Sequence, residues 1–245
     1  MHAKNPQQIR ITSPKNLPYA QIEHDLKDGH HVIVQFFEHT YTDSLLSDIN
    51  HLCAKYDKNF GVRFFGHYTH FFDCDTLLKI PDVKCLYVDS LQHAVNTHAF
   101  SNLNALKKIG IGIYNLEDKE ILAFENFKNL EDLILTETKT TSFNLDYLKE
   151  YKNLKFLIIG GHTKNIKAIG DLSELQFLSL NSVKKVPVSF VNNLEKLKTF
   201  NLFLGSRDNL NEIGETQIEH LNLVRVRGFN DLGKSKDLKN SRRYT

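Results

Sequence analysis

One short pattern recurs along most of this chain. The template apolar-x-x-apolar-x-apolar is met at Val83, Leu86 and Val88, at Leu106, Ile109 and Ile111, and at Leu130, Leu133 and Leu135. It returns at Leu154, Leu157 and Ile159, at Leu175, Leu178 and Leu180, at Leu197, Phe200 and Leu202, and at Ile218, Leu221 and Leu223. The starts lie 23, 24, 24, 21, 22 and 21 residues apart, and all 21 template positions are apolar. With 41% of the chain hydrophobic, chance gives such a run on the order of 10⁻⁸ before any choice of register. The last two apolar positions of the template alternate, as in a strand with one buried face. One strand and its return cannot bury that face alone, so neighbouring repeats must stack into a parallel sheet.

The pattern resembles the leucine-rich repeat family, whose repeat reads L-x-x-L-x-L-x-x-N at this period. The resemblance runs from about Val62 to Leu232 and implies an α/β fold. That fold is a leucine-rich repeat solenoid with a parallel β-sheet on its concave face and irregular or short helical returns. Val62 to His67, 21 residues before Val83, reads as a degenerate first repeat. The chain departs from the family at the ninth position, where Leu91, Tyr114, Thr138, His162, Val183, Gly205 and Val226 replace the usual Asn. The family's ladder of hydrogen-bonded Asn side chains is therefore absent, and the turns must satisfy their backbone groups in other ways. The returns carry their own apolar residues, such as Ile166, Ile169 and Leu172, or Leu210 and Ile213. Asp146–Tyr151 and Ser189–Leu194 are candidates for short helices, while the return with Pro187 reads as irregular.

A solenoid needs its ends covered. His31–Phe37 alternates and is rich in β-branched residues, which predicts a strand. Asp43 is placed to cap a helix whose Leu45, Leu46, Ile49, Leu52 and Cys53 share one face, and Phe60–Phe65 returns as a strand. Together these form an N-terminal β-α-β cap. The first ~20 residues, with Pro6, Pro14 and Pro18, are expected to be extended or partly disordered. The division is thus 1–60 for the N-terminal extension and capping strand-helix unit, 61–232 for the solenoid, and 233–245 for a basic, solvated C-terminal tail.

Bulk properties exclude several classes. The 31 Lys and Arg balance 29 Asp and Glu to a net charge of +2, so no nucleic-acid partner is expected. Cys53, Cys74 and Cys85 are too few and too odd in number for a disulfide framework, which fits a reducing compartment. The N-terminus lacks the apolar stretch of a signal peptide, and no run approaches membrane-spanning length. A cytoplasmic location and no membrane association are expected.

Reactive side chains cluster once. Gly66–Asp75 carries His67, His70, Asp73, Cys74 and Asp75, all metal-ligand types, and the two histidines are near the Cys74 thiol in sequence. No second close-spaced ligand pair follows and no third group would orient a Cys–His pair, so a structural turn with Cys74 packed inside is expected. Neither a phosphate loop nor a zinc signature occurs. No catalytic residue, metal or cofactor is expected. Lysines at the second template position (Lys84, Lys107, Lys155, Lys198) suggest an anion stripe, but Glu131, Gln176 and Glu219 interrupt it, and a solvated rim is the better reading.

The gaps of the template face outward on the strand side in this architecture. They should be mostly polar, yet Ile134, Phe156, Ile158, Phe177 and Phe203 cluster there across adjacent repeats. Strands about 4.8 Å apart make these one patch, and such patches mark interaction sites. Tyr87, Asp132, Asn201 and His220 complete the candidate partner-binding set. The expected function is a non-enzymatic module that binds a protein partner on the concave sheet face. In family habit this profile resembles a cytoplasmic immunity protein that neutralises a toxin domain. The alternatives are an exported bacterial effector engaging a host protein and a metal-dependent enzyme at His67, His70 and Cys74. A homodimer contact is a further use of the same face.

Overall fold

The computed structural model describes residues 6–136, 138–139, 142–183, 185–233 and 240–244, the last five as backbone. The chain divides into two compact units, Met1–Leu116 and Glu117–Thr245. In the N-terminal unit the parallel strands run in the order β1 (Gln8–Thr12), β2 (His31–Phe37), β3 (Phe60–Phe65), β5 (Cys85–Leu91) and β7 (Lys108–Ile113). The short β4 (Phe71–Asp73) and β6 (His93–Val95) pair separately. In the C-terminal unit β8 (Asp132–Leu135), β9 (Phe156–Gly160), β10 (Phe177–Asn181), β11 (Thr199–Phe203), β12 (His220–Val224) and β13 (Asn240–Tyr244) follow one another in parallel.

The apolar template dictates the register. Leu133, Leu157, Leu178, Phe200 and Leu221 are direct neighbours along β8 to β12, and Leu86 pairs with Ile109 in the N-terminal unit. Leu133, Leu157, Leu178 and Phe200 have no accessible surface, and Leu221 retains 1%. The preceding backbone fixes this stacking. The carbonyl of Glu131 accepts from the N–H groups of both Lys155 and Phe156, at 2.8 and 3.1 Å. Those of Lys155, Gln176 and Lys198 repeat the arrangement with the next repeat in turn, as does Lys84 with Lys107 and Lys108.

The returns are tight. Leu145–Glu150 and Ser189–Asn193 are 3₁₀ turns rather than α-helices, and so are Cys74–Lys79, Thr97–Asn102, Glu125–Asn129 and Ile166–Asp171. A 3₁₀ turn rises about 2.0 Å per residue against 1.5 Å for an α-helix, so it spans the return with fewer residues. One answer to the missing Asn ladder is His162. The residue is 2% exposed, and its ring lies tilted against Phe143 with centroids 4.5 Å apart. Nδ1 accepts from the Phe143 N–H at 3.3 Å, and Nε2 donates to the Thr136 carbonyl at 3.0 Å. The imidazole thus satisfies one donor and one acceptor of the backbone, in its Nε2–H tautomer.

The N-terminal end differs from the sequence reading in three places. The segment expected to be extended holds β1, paired with β2, and helix α1 (Tyr19–Lys27). Two apolar residues four apart, Ile22 and Leu26, bury α1, a signal too short to rise above its polar neighbours. Helix α2 (Asp43–Lys55) buries the expected face, but its N-cap is Thr42, whose hydroxyl accepts from the Leu45 N–H at 3.2 Å. Asp43 becomes the first helical residue, where its charge suits the positive helix end. Val62 pairs with Leu86 and Phe64 with Val88, so the degenerate first repeat is shifted by three residues from the register that the template spacing implies. At the other terminus Asn240–Tyr244 adds a strand to β12 instead of ending in solvent, while the basic residues 234–239 of the expected tail lie outside the described residues.

Two thiols belong to this core. Burial pushes Cys53 and Cys74 up to about 12. Since the thiolate is the nucleophile, alkylation of both at pH 8 should be slow in the folded protein and fast in denaturant. Equal rates in the two conditions, read by mass spectrometry of labelled peptides, would contradict the burial. Leu157→Ala should leave a cavity between Leu133 and Leu178 and lower the unfolding free energy by about 2–5 kcal/mol. Denaturant titration showing a loss under about 1 kcal/mol would mean that this register does not form the core.

Candidate functional site

The outward face of the C-terminal unit is built from three columns of strand positions. Asp132, Phe156, Phe177, Thr199 and His220 stand side by side across β8 to β12. Ile134, Ile158, Ser179, Asn201 and Asn222 form the next column, and Gly160, Asn181, Phe203 and Val224 the third. Parallel pairing in strict register produces these rows, because side chains two residues apart share a face.

The apolar members are brought together as the spacing suggests. Ile134, Phe156, Ile158, Phe177 and Phe203 are each half-buried. The rings of Phe156 and Phe177 stack with centroids 4.3 Å apart and planes 11° from parallel. Strand spacing brings two aromatic side chains of one column within reach of each other, and here they lie face to face. Stacking restricts both rings before any partner arrives, which lowers the entropy lost on binding. Asp132 is half-buried and His220 exposed at the two ends of their column.

Asn201 departs from the expected set. It is 5% exposed, and its Oδ1 accepts from Asn222 Nδ2 at 2.8 Å. Ser179, 1% exposed, donates to Asn181 Oδ1 at 2.8 Å. These side chains form a polar seam that orders the sheet face, and Asn201 offers little surface to a partner. The seam escapes sequence reasoning because it depends on which neighbour each amide finds across the strands.

Tyr87 stands in the N-terminal unit, on β5. Its ring lies over Gly110, where an added Cβ would sit 2.6 Å from Cδ1, and the Lys108 ammonium is 5.8 Å from the ring centroid. Beside it runs a network that the sequence did not reveal. Asp89 Oδ1 takes Arg63 Nε at 2.8 Å and Nη2 at 2.6 Å, while Arg63 Nη1 donates to Gln35 Oε1 at 3.3 Å. Gln35 Nε2 in turn reaches Thr12 Oγ1 at 2.8 Å. The guanidinium also lies 4.6 Å from the Phe65 ring centroid. Both the unforeseen β1 and the shifted β3 register are needed to align these residues.

The segment of reactive side chains resolves into separate environments. Cys74 has no accessible surface, whereas His67 is exposed with a left-handed backbone (φ 46°). His70 Nε2 meets Glu38 Oε1 at 3.0 Å, and its ring sits edge-on to Phe37 at 4.8 Å. Among the described residues, no group of three or more His, Cys, Asp or Glu side chains is arranged to hold a metal ion. Burial of the Cys74 thiol disfavours the thiolate, the form that acts as nucleophile or ligand.

The lysine column also divides. Lys84 is a helix cap: its ammonium donates to the carbonyls of Cys53, Ala54 and Tyr56 at 2.6, 3.2 and 2.7 Å, at the negative end of α2. Lys107 pairs with Asp57 at 2.9 Å, Lys155 with Glu131 at 3.5 Å, and Lys198 with Glu219. The rim is therefore internally neutralised. On the return side, a groove is lined by Asp146, Lys149, Asn165 and Asp171. Asn165 donates to Asn144 and Asp146, which also pairs with Lys149, so much of its polar lining is already engaged.

No family model matches this chain, and no curated protein matches it in sequence. Solved structures do. The chain is similar to internalin C2 from Listeria monocytogenes, with 17% identity, a TM-score of 0.54 and 82% of each chain covered. It is similar to the TLR13 chain of a TLR13–ssRNA13 complex, with 16% identity and a TM-score of 0.55, over 91% of this chain and 33% of that one. A leucine-rich repeat protein of Leptospira interrogans is 20% identical, with a TM-score of 0.49, over 76% of this chain and 50% of that one. No helix among the described residues is long and apolar enough to cross a membrane. Identities this low bear on architecture alone, and the architecture is the leucine-rich repeat solenoid.

Proposed function

We propose that this chain is a non-enzymatic binding module that takes a protein partner on the open sheet face of its C-terminal unit. One observation carries the reading. Ile134, Phe156, Ile158, Phe177 and Phe203 are half-exposed at outward positions of four adjacent strands, with Phe156 and Phe177 stacked at the centre. Outward positions of a solvated sheet are ordinarily polar, so this surface carries apolar area that folding leaves partly open. Aromatic anchors inside a rim of paired charges are the composition of protein interfaces. A face made of strand positions offers breadth, whereas small ligands favour enclosed clefts. The TLR13 neighbour was solved with ssRNA13. Here the rim lysines Lys155 and Lys198 are matched by Glu131 and Glu219, which disfavours a phosphate backbone.

Within this reading, the finer assignment is a cytoplasmic immunity protein whose partner is a toxin domain. Co-purification from the native organism, with mass spectrometry, should recover one dominant protein partner. Phe156→Ala should then weaken its binding by about thirtyfold or more, since truncating a central anchor costs ~2 kcal/mol or more. Its melting temperature should change little. Lys155→Ala should cost far less and act mainly on the association rate. If Phe156→Ala binds normally and melts early, the ring is a packing contact and this face is not the binding site.

A further inference from the structure

On leaving its strand the chain often turns through a left-handed residue at the eighth template position. Ser90 (φ 56°), Gly161 (74°), Ser182 (54°), Leu204 (57°) and Arg225 (51°) all adopt it. In the C-terminal unit three of these turns close with the same hydrogen bond. The N–H of Gly161 reaches the Asn181 carbonyl at 2.8 Å, that of Ser182 reaches Phe203 at 2.7 Å, and that of Leu204 reaches Val224 at 2.9 Å. The conformation therefore belongs to the turn and not to the residue that occupies it. Glycine adopts it freely, as at Gly161, while any side chain crowds the following carbonyl.

Leu204 and Arg225 hold this strained position in neighbouring repeats with no return from packing. Leu204 is 57% exposed, the most exposed large apolar side chain among the described residues. Arg225 and Arg227 are both exposed, and among the described residues no ion pair joins either guanidinium. Neighbouring cations are matched: Lys185 with Asp208, Lys198 with Glu219, and Arg207 with Glu212 at 2.9 Å. Phe203 and Val224, register partners one position earlier, are half-buried. Ser206 bridges Arg227, which places that arginine at the same edge. The result is an apolar step, Phe203, Leu204 and Val224, bordered by two guanidinium groups that no described carboxylate matches.

Strain kept at an exposed position that contributes nothing to the core points to the surface that its side chain makes. We propose that this edge takes an acidic segment of a protein partner, with one apolar side chain on the Phe203–Leu204–Val224 step and flanking carboxylates on Arg225 and Arg227. The assignment rests on the protein-binding reading of the adjoining sheet face. Charge complementarity selects the occupant. Guanidinium groups bind carboxylates through paired, charge-assisted hydrogen bonds, and an exposed leucine beside them asks for an apolar neighbour, which a phosphate backbone does not supply.

The test is a nuclear magnetic resonance titration of the full, ¹⁵N-labelled chain with synthetic peptides. One carries a phenylalanine between two pairs of glutamates, a second has lysines for the glutamates, and a third has alanine for the phenylalanine. The first should shift the amides of Phe203, Leu204, Val224 and Arg225, and bind at least tenfold more tightly than the other two. Leu204→Gly should weaken it at least fivefold while holding or raising the melting temperature, because the left-handed strain is removed. Leu204→Asn, which tolerates the same backbone, should do likewise. Joint Arg225→Glu and Arg227→Glu substitution should reverse the preference toward the lysine peptide. The proposal is overturned if the Leu204 variants bind as the natural chain does, or if both melt clearly earlier. It is overturned equally by indifference to peptide charge, by tighter binding of a single-stranded oligonucleotide at the same amides, or by shifts that track protein concentration alone, which would mark a second copy. Shifts confined to Phe156 and Phe177 would sink this edge and leave the broader face standing. No response to any peptide would sink the edge alone, since the broader face is tested by the co-purified partner.

Discussion

The rest of this structure depends on a doubled backbone hydrogen bond at the mouth of each strand. In repeat after repeat, the carbonyl at the second template position accepts two successive N–H groups from the following repeat. Both groups enter the ladder satisfied, without the Asn side chains that the family pattern uses. The paired bonds also leave no freedom of register. A slip of one residue would carry every leucine of the strand to the outer face. With register fixed, the buried column of Leu133, Leu157, Leu178 and Phe200 and the outer column of Phe156 and Phe177 are two consequences of one constraint.

Charge in this chain is spent locally on order. The Lys84 ammonium closes helix α2 by meeting three carbonyls at its C-terminus. Arg207, almost fully buried, binds Glu212 at 2.9 Å and the carbonyls of Asn209 and Val186, while Glu212 accepts from the Val188 and Ser189 N–H groups. With Arg207 buried and Glu212 open to solvent, these bonds serve chiefly to fix the geometry of the turn. Because these cations are engaged, Arg225 and Arg227, exposed and without an ion pair among the described residues, stand apart from them.

The same contrast separates packing from interaction among the aromatics. Phe36, Phe60, Phe64, Phe100, Phe127, Phe143 and Phe200 are within about 1% of full burial. Phe156, Phe177 and Phe203 sit at positions of the other parity and stay half-open. These three rings stay partly open to solvent, so their apolar character has to be explained by the surface they form. The strained Leu204 extends that surface past the strand ends, where the chain could have used glycine as it does at Gly161.

The sequence by itself determined the solenoid. A 21–24-residue period with every template position apolar leaves one way to bury the strands, and the pattern places Phe156 beside Phe177 before any coordinates exist. It also determined the buried face of α2 and the positions of β2 and β3, because long periodic runs leave little ambiguity. Tertiary structure alone decided what depends on neighbours distant in the chain. Helix α1 buries only two apolar residues, Ile22 and Leu26, and holds because they find a core. The first repeat slid by three residues because pairing of Val62 with Leu86 outweighed a local match to the template. Asn201 turned inward to Asn222, and His162 took over a backbone role that no ninth-position rule assigns to histidine. A polar side chain's partner, unlike an apolar residue's periodicity, is a directional bond across space, and one-dimensional spacing carries no record of it.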